Sequence, residues 1–166
     1  MTSQVLSAQV SAGVPALDAW VGLLRAHAAL TRELNADLVN QHGLTINDYE
    51  VLLHLARAEG RRLRRVDLAE RLILTGSGIT RLLDGLERAG YVEKGRCDSD
   101  ARVTYAVLTK AGLDKLREAG DTHVGGIRSA FELRFTEEEL ATLGQLLARL
   151  PLAGSPAESC TAEPEP

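Results

Sequence analysis

Cysteine is nearly absent: Cys97 and Cys160 are the only two, far apart and in segments of different character. Two isolated thiols give neither a disulfide framework nor a cysteine-based zinc site. The histidines His27, His42, His54 and His123 show no close metal-ligand spacing, so no metal and no cofactor is expected. Long apolar runs are missing as well. None approaches the roughly 20 residues that cross a bilayer, and the N-terminus lacks the basic-then-apolar order of a secretory signal. No membrane partner is expected, and the chain should stay in the cytoplasm. Gly76-Ser77-Gly78 is not followed by the Gly-Lys-Ser/Thr ending of a phosphate loop. No nucleophile and base pair stands out either, so the chain is not expected to be an enzyme.

What the sequence does hold is an uneven distribution of charge. The chain of 166 residues carries a formal net charge of -4. Between Arg57 and Lys110, however, 12 Lys and Arg face 8 Asp and Glu, a local excess of +4, while the remainder carries 7 against 15, a net of -8. A basic middle between acidic ends is what a central module that approaches a polyanion would show. With 45% hydrophobic residues the chain can bury one core.

Helical periodicity predicts one long helix from Val14 to about Gln41, with Pro15 in its first turn and an end near Gly43. Thr45 with Asp48 three residues later reads as a capping box for a second helix through Leu55 or Arg57. Leu63 to Ile73 reads as a short helix with Leu68, Ala69, Leu72 and Ile73 on its apolar face. Thr75-Gly76-Ser77-Gly78 interrupts it, and a further helix runs from Ser77 to Ala89 with Gly90 as a left-handed stop. Tyr91 to Lys94 and Val103 to Leu108 have strand composition and flank the polar stretch from Cys97 to Arg102, so they read as a β-hairpin. Thr109 caps a helix towards Phe131, weakened in its middle by Gly120, Gly125 and Gly126. Thr136 with Glu139 caps a last helix bearing Leu140, Leu143, Leu146, Leu147 and Leu150.

Two short helices joined by a tight turn and followed by a hairpin meet the needs of duplex recognition. In the second of them Ile79, Leu82, Leu83 and Leu86 can bury, which leaves Ser77, Gly78, Thr80, Arg81 and Asp84 outward. Short polar side chains let such a helix approach base edges in the major groove, and Arg81 can donate two hydrogen bonds to a guanine. Thr75 or Ser77 supplies the N-cap, at a helix end that also favours a phosphate. Arg102 on the hairpin suits the narrow, negative minor groove, and Asp100 can hold its guanidinium. The bland alternative is a surface Asp-Arg pair worth little.

Asp98-Ser99-Asp100-Ala101-Arg102, followed by Leu108-Thr109-Lys110-Ala111-Gly112, resembles the wing motif of MarR-family regulators, in which Asp-x-Arg shortly precedes Leu-Thr-x-x-Gly. Arg81 to Val92 is similar to that family's recognition helix, and Leu44 to Leu52 extends the likeness, which covers roughly residues 16 to 150. The resemblance implies a mainly α fold, a winged helix-turn-helix with a small β-hairpin wing and flanking dimerisation helices. It also implies a homodimer on double-stranded DNA with a pseudo-palindromic operator, a wing arginine in the minor groove, and a small aromatic or phenolic effector that releases a repressor. The chain then divides into a dimerisation helix (14-43), the DNA-binding module (45-110), C-terminal dimerisation helices (110-150) and a disordered tail (151-166). The reading from another class is a winged-helix protein-interaction module without catalytic activity.

Three weaker signals leave alternatives open. Arg61-Arg62-Leu63-Arg64-Arg65, with Arg64 and Arg65 nearest the helix pair, either grips phosphates or is a solvated loop. Lys94 at the wing entry is a further candidate DNA contact. Trp20, Arg25, His27, Tyr49 and His54 either line an effector pocket, their rings and cations meeting an aromatic acid, or pack the core and dimer. Cys97 could sense oxidants, but a redox thiol needs a low pKa and usually a partner, so an incidental role is the plainer reading.

Overall fold

The computed structural model describes residues 14–96 and 103–150. Helix α1, Pro15–His42, begins with proline in its first turn, where the missing N–H is no loss. It stops at Gly43, which is left-handed (φ 68°) and donates its N–H to the Val39 carbonyl. Thr45 opens α2, Ile46–Arg57, through the expected capping box: Thr45 Oγ1 accepts from the Asp48 N–H at 3.2 Å, and Asp48 Oδ2 accepts from the Thr45 N–H at 2.8 Å. Asn35 of α1 accepts from the Ile46 N–H, which fixes the corner between the two helices.

A short 3-10 turn, Glu59–Arg61, leads into strand β1, Arg62–Arg64. Helices α3, Arg65–Arg71, and α4, Gly76–Arg88, follow, then β2, Val92–Arg96, and β3, Thr104–Leu108. The three strands form an antiparallel sheet in the order β1-β3-β2, with Leu63 opposite Ala106 and Val92 opposite Leu108. Alternation along β3 turns Ala106 and Leu108 into the core. Helices α5, Lys110–Glu132, and α6, Glu137–Leu147, complete the described chain. This is the mainly helical winged helix-turn-helix that the sequence predicts.

Leu52 and Leu55 of α2, Leu68 of α3 and Leu83 of α4 are fully inaccessible and join these helices into one core. Burial of each contributes about 1.5–3 kcal/mol. Helix α1 packs along α5, and His42 Nε2 meets Thr122 Oγ1 at 2.8 Å across that contact.

Two expectations need correction. The helix expected from Leu63 begins at Arg65, because Arg62–Arg64 pairs with β3 instead; the basic stretch is therefore a sheet edge and not a loop. Ile73, expected on the apolar face of α3, is 77% exposed with φ 54°. Its N–H donates to the Glu70 carbonyl and that of Leu74 to Ala69, so the chain has left the helix and rotated the side chain outward. The helix expected from Thr109 towards Phe131 is present as α5, which runs through Gly120, Gly125 and Gly126. The wing tip with Cys97, Asp100 and Arg102, and the tail expected to be disordered, lie outside the described residues.

Candidate nucleic-acid interface

Helix α4 owes its start to Thr75, whose Oγ1 accepts from the Gly78 N–H at 3.1 Å and lies 3.2 Å from Ser77 Oγ. Thr80 donates its hydroxyl to the Gly76 carbonyl at 2.8 Å, which folds that side chain back on the first turn. Ile79, Leu83 and Leu86 are buried beneath, so Gly76, Ser77, Thr80 and Arg81 stand exposed on the opposite face. Gly78, half-buried, completes the low profile of the first turn. Arg81 makes no ion pair or hydrogen bond with any described side chain or backbone group. A bare guanidinium on an otherwise small, polar helix end can donate in a fork to a planar acceptor pair.

The other candidate cations are engaged. Arg64 forms two hydrogen bonds to Asp67, at 2.9 Å through Nε and 2.7 Å through Nη2. Arg65 lies with Nη2 3.9 Å from Asp84 Oδ1, too far for a hydrogen bond, and its shielded Nε and Nη2 meet no acceptor. Lys94 of β2 reaches Glu87 of α4 at 3.0 Å and so ties the hairpin to that helix. Arg62 lies over the Tyr105 ring, 5.0 Å from its centroid. The carboxylates Asp67 and Glu87 escaped the sequence reading, which placed Asp84 outward on its helix but without a partner. Asp67 had a local signal, three residues after Arg64 at the start of α3, whereas Asp84 and Glu87 meet their partners only in the folded chain.

The five effector candidates do not sit alike. Trp20, Arg25 and His27 are exposed on α1, and Trp20 lies about 27 Å along the helix axis from Leu38, where α1 enters the core. Tyr49 is buried with its ring 4.5 Å from that of His123, and burial pushes its hydroxyl pKa up. His54 is half-buried, and burial together with the cations Arg71 and Arg57 holds its pKa down. Burial raises the Glu50 carboxyl, partly offset by His27. One concavity is lined by Phe135, Glu138, Glu139, Thr142, Leu143 and Leu146, another by Asp84, Glu87, Arg88 and Lys94. Neither includes any of the five. Among the described residues no cluster of His, Cys, Asp and Glu could hold a metal, and no helix is long and apolar enough to cross a membrane.

Residues 42–103, from the end of α1 into the wing, match the model of the MarR family. The transcriptional repressor YetL of Bacillus subtilis is 33% identical over 111 residues, 65% of this chain and 66% of YetL. Sco3205, a MarR family transcriptional regulator from Streptomyces coelicolor solved in complex with DNA, superposes with a TM-score of 0.72 at 32% identity, covering 78% of this chain and 81% of Sco3205. AbsC, a MarR family transcriptional regulator from the same organism, superposes with a TM-score of 0.73 at 35% identity, covering 81% of this chain and 90% of AbsC. Likeness of sequence and fold over most of both chains makes this chain a member of the MarR family and a DNA-binding transcriptional regulator rather than an enzyme.

Proposed function

We propose that the protein is a homodimeric repressor of a pseudo-palindromic operator, with α4 in the major groove and the wing in the adjacent minor groove. The observation that carries this reading is the first half of α4, where exposed Ser77, Thr80 and Arg81 stand over a fully buried apolar face. Arg81 reads a guanine edge. Thr75, Ser77 and Gly78 bring the helix N-terminus against a phosphate. Arg64, Arg65 and Lys94 contact the backbone, and Asp100 orients Arg102 in the minor groove.

The dimer is supported by surface that one chain leaves open. No residue of α6 is buried, and Leu17, Trp20 and Leu24 of α1 are exposed with Leu146, Leu147 and Leu150. A second copy is the natural cover for such stripes. Trp20, 56% exposed, belongs to this dimer face rather than to an effector pocket. Repression follows the likeness to YetL. The site of action is the cytoplasm, with the chromosome. An aromatic or phenolic acid releases the operator by meeting His54 and its neighbouring arginines Arg57 and Arg71, with Arg25 and His27 on the facing helix, while Tyr49 stays with the core.

Selection of duplexes from a random pool tests the central reading. Arg81→Ala should lower affinity for the selected site about 5- to 150-fold, the 1–3 kcal/mol of a base-edge contact. Affinity for random DNA should fall much less. If the protein enriches no sequence, or Arg81→Ala binds the selected site as wild type does, the reading fails. A thermal-shift screen of aromatic acids, repeated with the selected duplex, tests release; no compound that both stabilises the free protein and loosens the complex would remove the effector.

A further inference from the structure

The segment Leu108 to Gly112 belongs neither to the exposed face of α4 nor to the open apolar stripes. Thr109 caps α5 by accepting from the Gly112 N–H at 3.0 Å. Its hydroxyl donates to the Gly90 carbonyl at 2.7 Å and lies 3.1 Å from that of Tyr91, which also accepts from the Thr109 N–H. Gly90 is the left-handed residue that ends α4, and Tyr91 donates its N–H back to Leu86 of that helix. One threonine thus ties the last turn of α4, the entry to β2 and the first turn of α5 together.

Gly112 makes this junction close. A Cβ there would stand 2.1 Å from the Tyr91 carbonyl oxygen and 2.8 Å from Leu108 Cδ1. Real Cβ atoms stay beyond 3.0 Å, so any side chain must drive α5 off Tyr91 by about 1 Å. Further along α5, a Cβ on Gly126 would stand 2.8 Å from Leu34 Cδ2 of α1. These two glycines are about 21 Å apart along the helix. Helix α5 is a strut with a close approach at each end, one to the DNA-reading module and one to α1.

We infer that Thr109 and Gly112 are positioning residues that fix the separation of the two α4 helices on DNA without touching it. This inference rests on the dimeric operator reading above. A shift of about 1 Å at each junction changes the distance between the two helices by up to about 2 Å, a large part of the roughly 3.4 Å step of one base pair. The preferred spacing between half-sites is therefore the quantity that the junction controls.

The test uses the full-length protein on the duplex that wild type selects and on versions with one base pair added or removed between the half-sites. Gly112→Ala should lose about tenfold on the original spacing, the scale of one mismatched base pair, and its preferred spacing should broaden or move. Thr109→Val keeps the volume and loses the hydroxyl; it should change the profile in the same direction by about fivefold, the scale of one hydrogen bond. Thr109→Ser should behave as wild type. Sedimentation and thermal melting confirm a folded dimer in each case. A folded Gly112→Ala dimer with the wild-type spacing profile overturns the inference, and so does equal weakening at every spacing, which would mark a purely structural contact. If Gly112→Ala does not fold, Thr109→Val decides: an unchanged profile, or loss of folding there too, overturns it. Wild type that selects no duplex sinks the operator reading, and this inference with it.

Discussion

The turn between α3 and α4 holds an isoleucine in a position built for glycine. Helices α3 and α4 end in the same way: Ile73 donates to Glu70 and Leu74 to Ala69, as Gly90 donates to Glu87 and Tyr91 to Leu86. In this paired arrangement the residue just past the helix is left-handed, with φ 54° at Ile73 and 75° at Gly90. A residue with a Cβ is disfavoured there by about 1–2 kcal/mol, and β-branching adds to the crowding. Asparagine tolerates the conformation. Ile73 is 77% exposed, so its loss forfeits only about a quarter of a side chain's burial, or about 0.5 kcal/mol. Ile73→Asn should therefore stabilise the protein by about 1 kcal/mol and raise the thermal midpoint by about 2–4 °C. The reverse experiment is Gly90→Ala, where nothing lies within 4 Å of the added methyl and only the dihedral strain acts. The strain of about 1–2 kcal/mol is partly offset because alanine loses less chain entropy on folding than glycine, so the change should destabilise by a net of about 0.5–1 kcal/mol. Both are measured by urea denaturation at one fixed protein concentration, because unfolding of a dimer depends on it. A lower midpoint for Ile73→Asn, beside a neutral Gly90→Ala, would refute the assignment of strain to this turn.

Further outcomes follow from the caps, the histidines and the open helix faces. Thr75→Ala removes the acceptor of the Gly78 N–H and should lower stability by about 1 kcal/mol in urea denaturation, with Thr75→Ser near wild type. Burial lowers the pKa of His123 and of His54 below the ordinary 6.5, so the unfolded chain takes up protons first as pH falls. Stability is then full above 6.5 and declines as pH drops from there through the folded-state values; the thermal midpoint should fall between about pH 7 and 5 and fall less in His123→Gln, whereas a flat profile would refute this. Deleting residues 136–150 should yield a monomer by sedimentation with weakened operator binding, and a soluble dimer of full affinity would count against the assigned dimer face.

What could be read in advance was local. The caps at Thr45, Thr109 and Thr136 each depend on a partner three residues away, so spacing alone locates them. The burial of Ile79, Leu83 and Leu86 follows from helical periodicity in the same way. Strand β1 was hidden because it is three residues long and its partner β3 comes some forty residues later. Ile73 was misplaced because periodicity assumes that the helix continues, and one left-handed residue breaks that assumption. Tyr49 reads equally well as ring face or core filler until His123 is seen against it.

The charge count that first marked the middle of the chain as basic gains a different meaning in the fold. Arg64 is held by Asp67 and Lys94 by Glu87, while Arg65 lies near Asp84; these carboxylates already count towards the segment's net of +4, so the pairs leave that excess unchanged but set three of its cations within 4 Å of an opposite charge. Such pairs add little long-range attraction and are weak sources of affinity when exposed. They do fix side chains: Lys94 with Glu87 clamps the wing to α4, and Arg65 draws α3 towards Asp84. Arg81 has no such partner among the described residues. On the proposed reading, Arg81 is the uncommitted guanidinium that discriminates between sequences, while Arg64, Arg65 and Lys94 meet the DNA backbone from positions already set by their carboxylate neighbours.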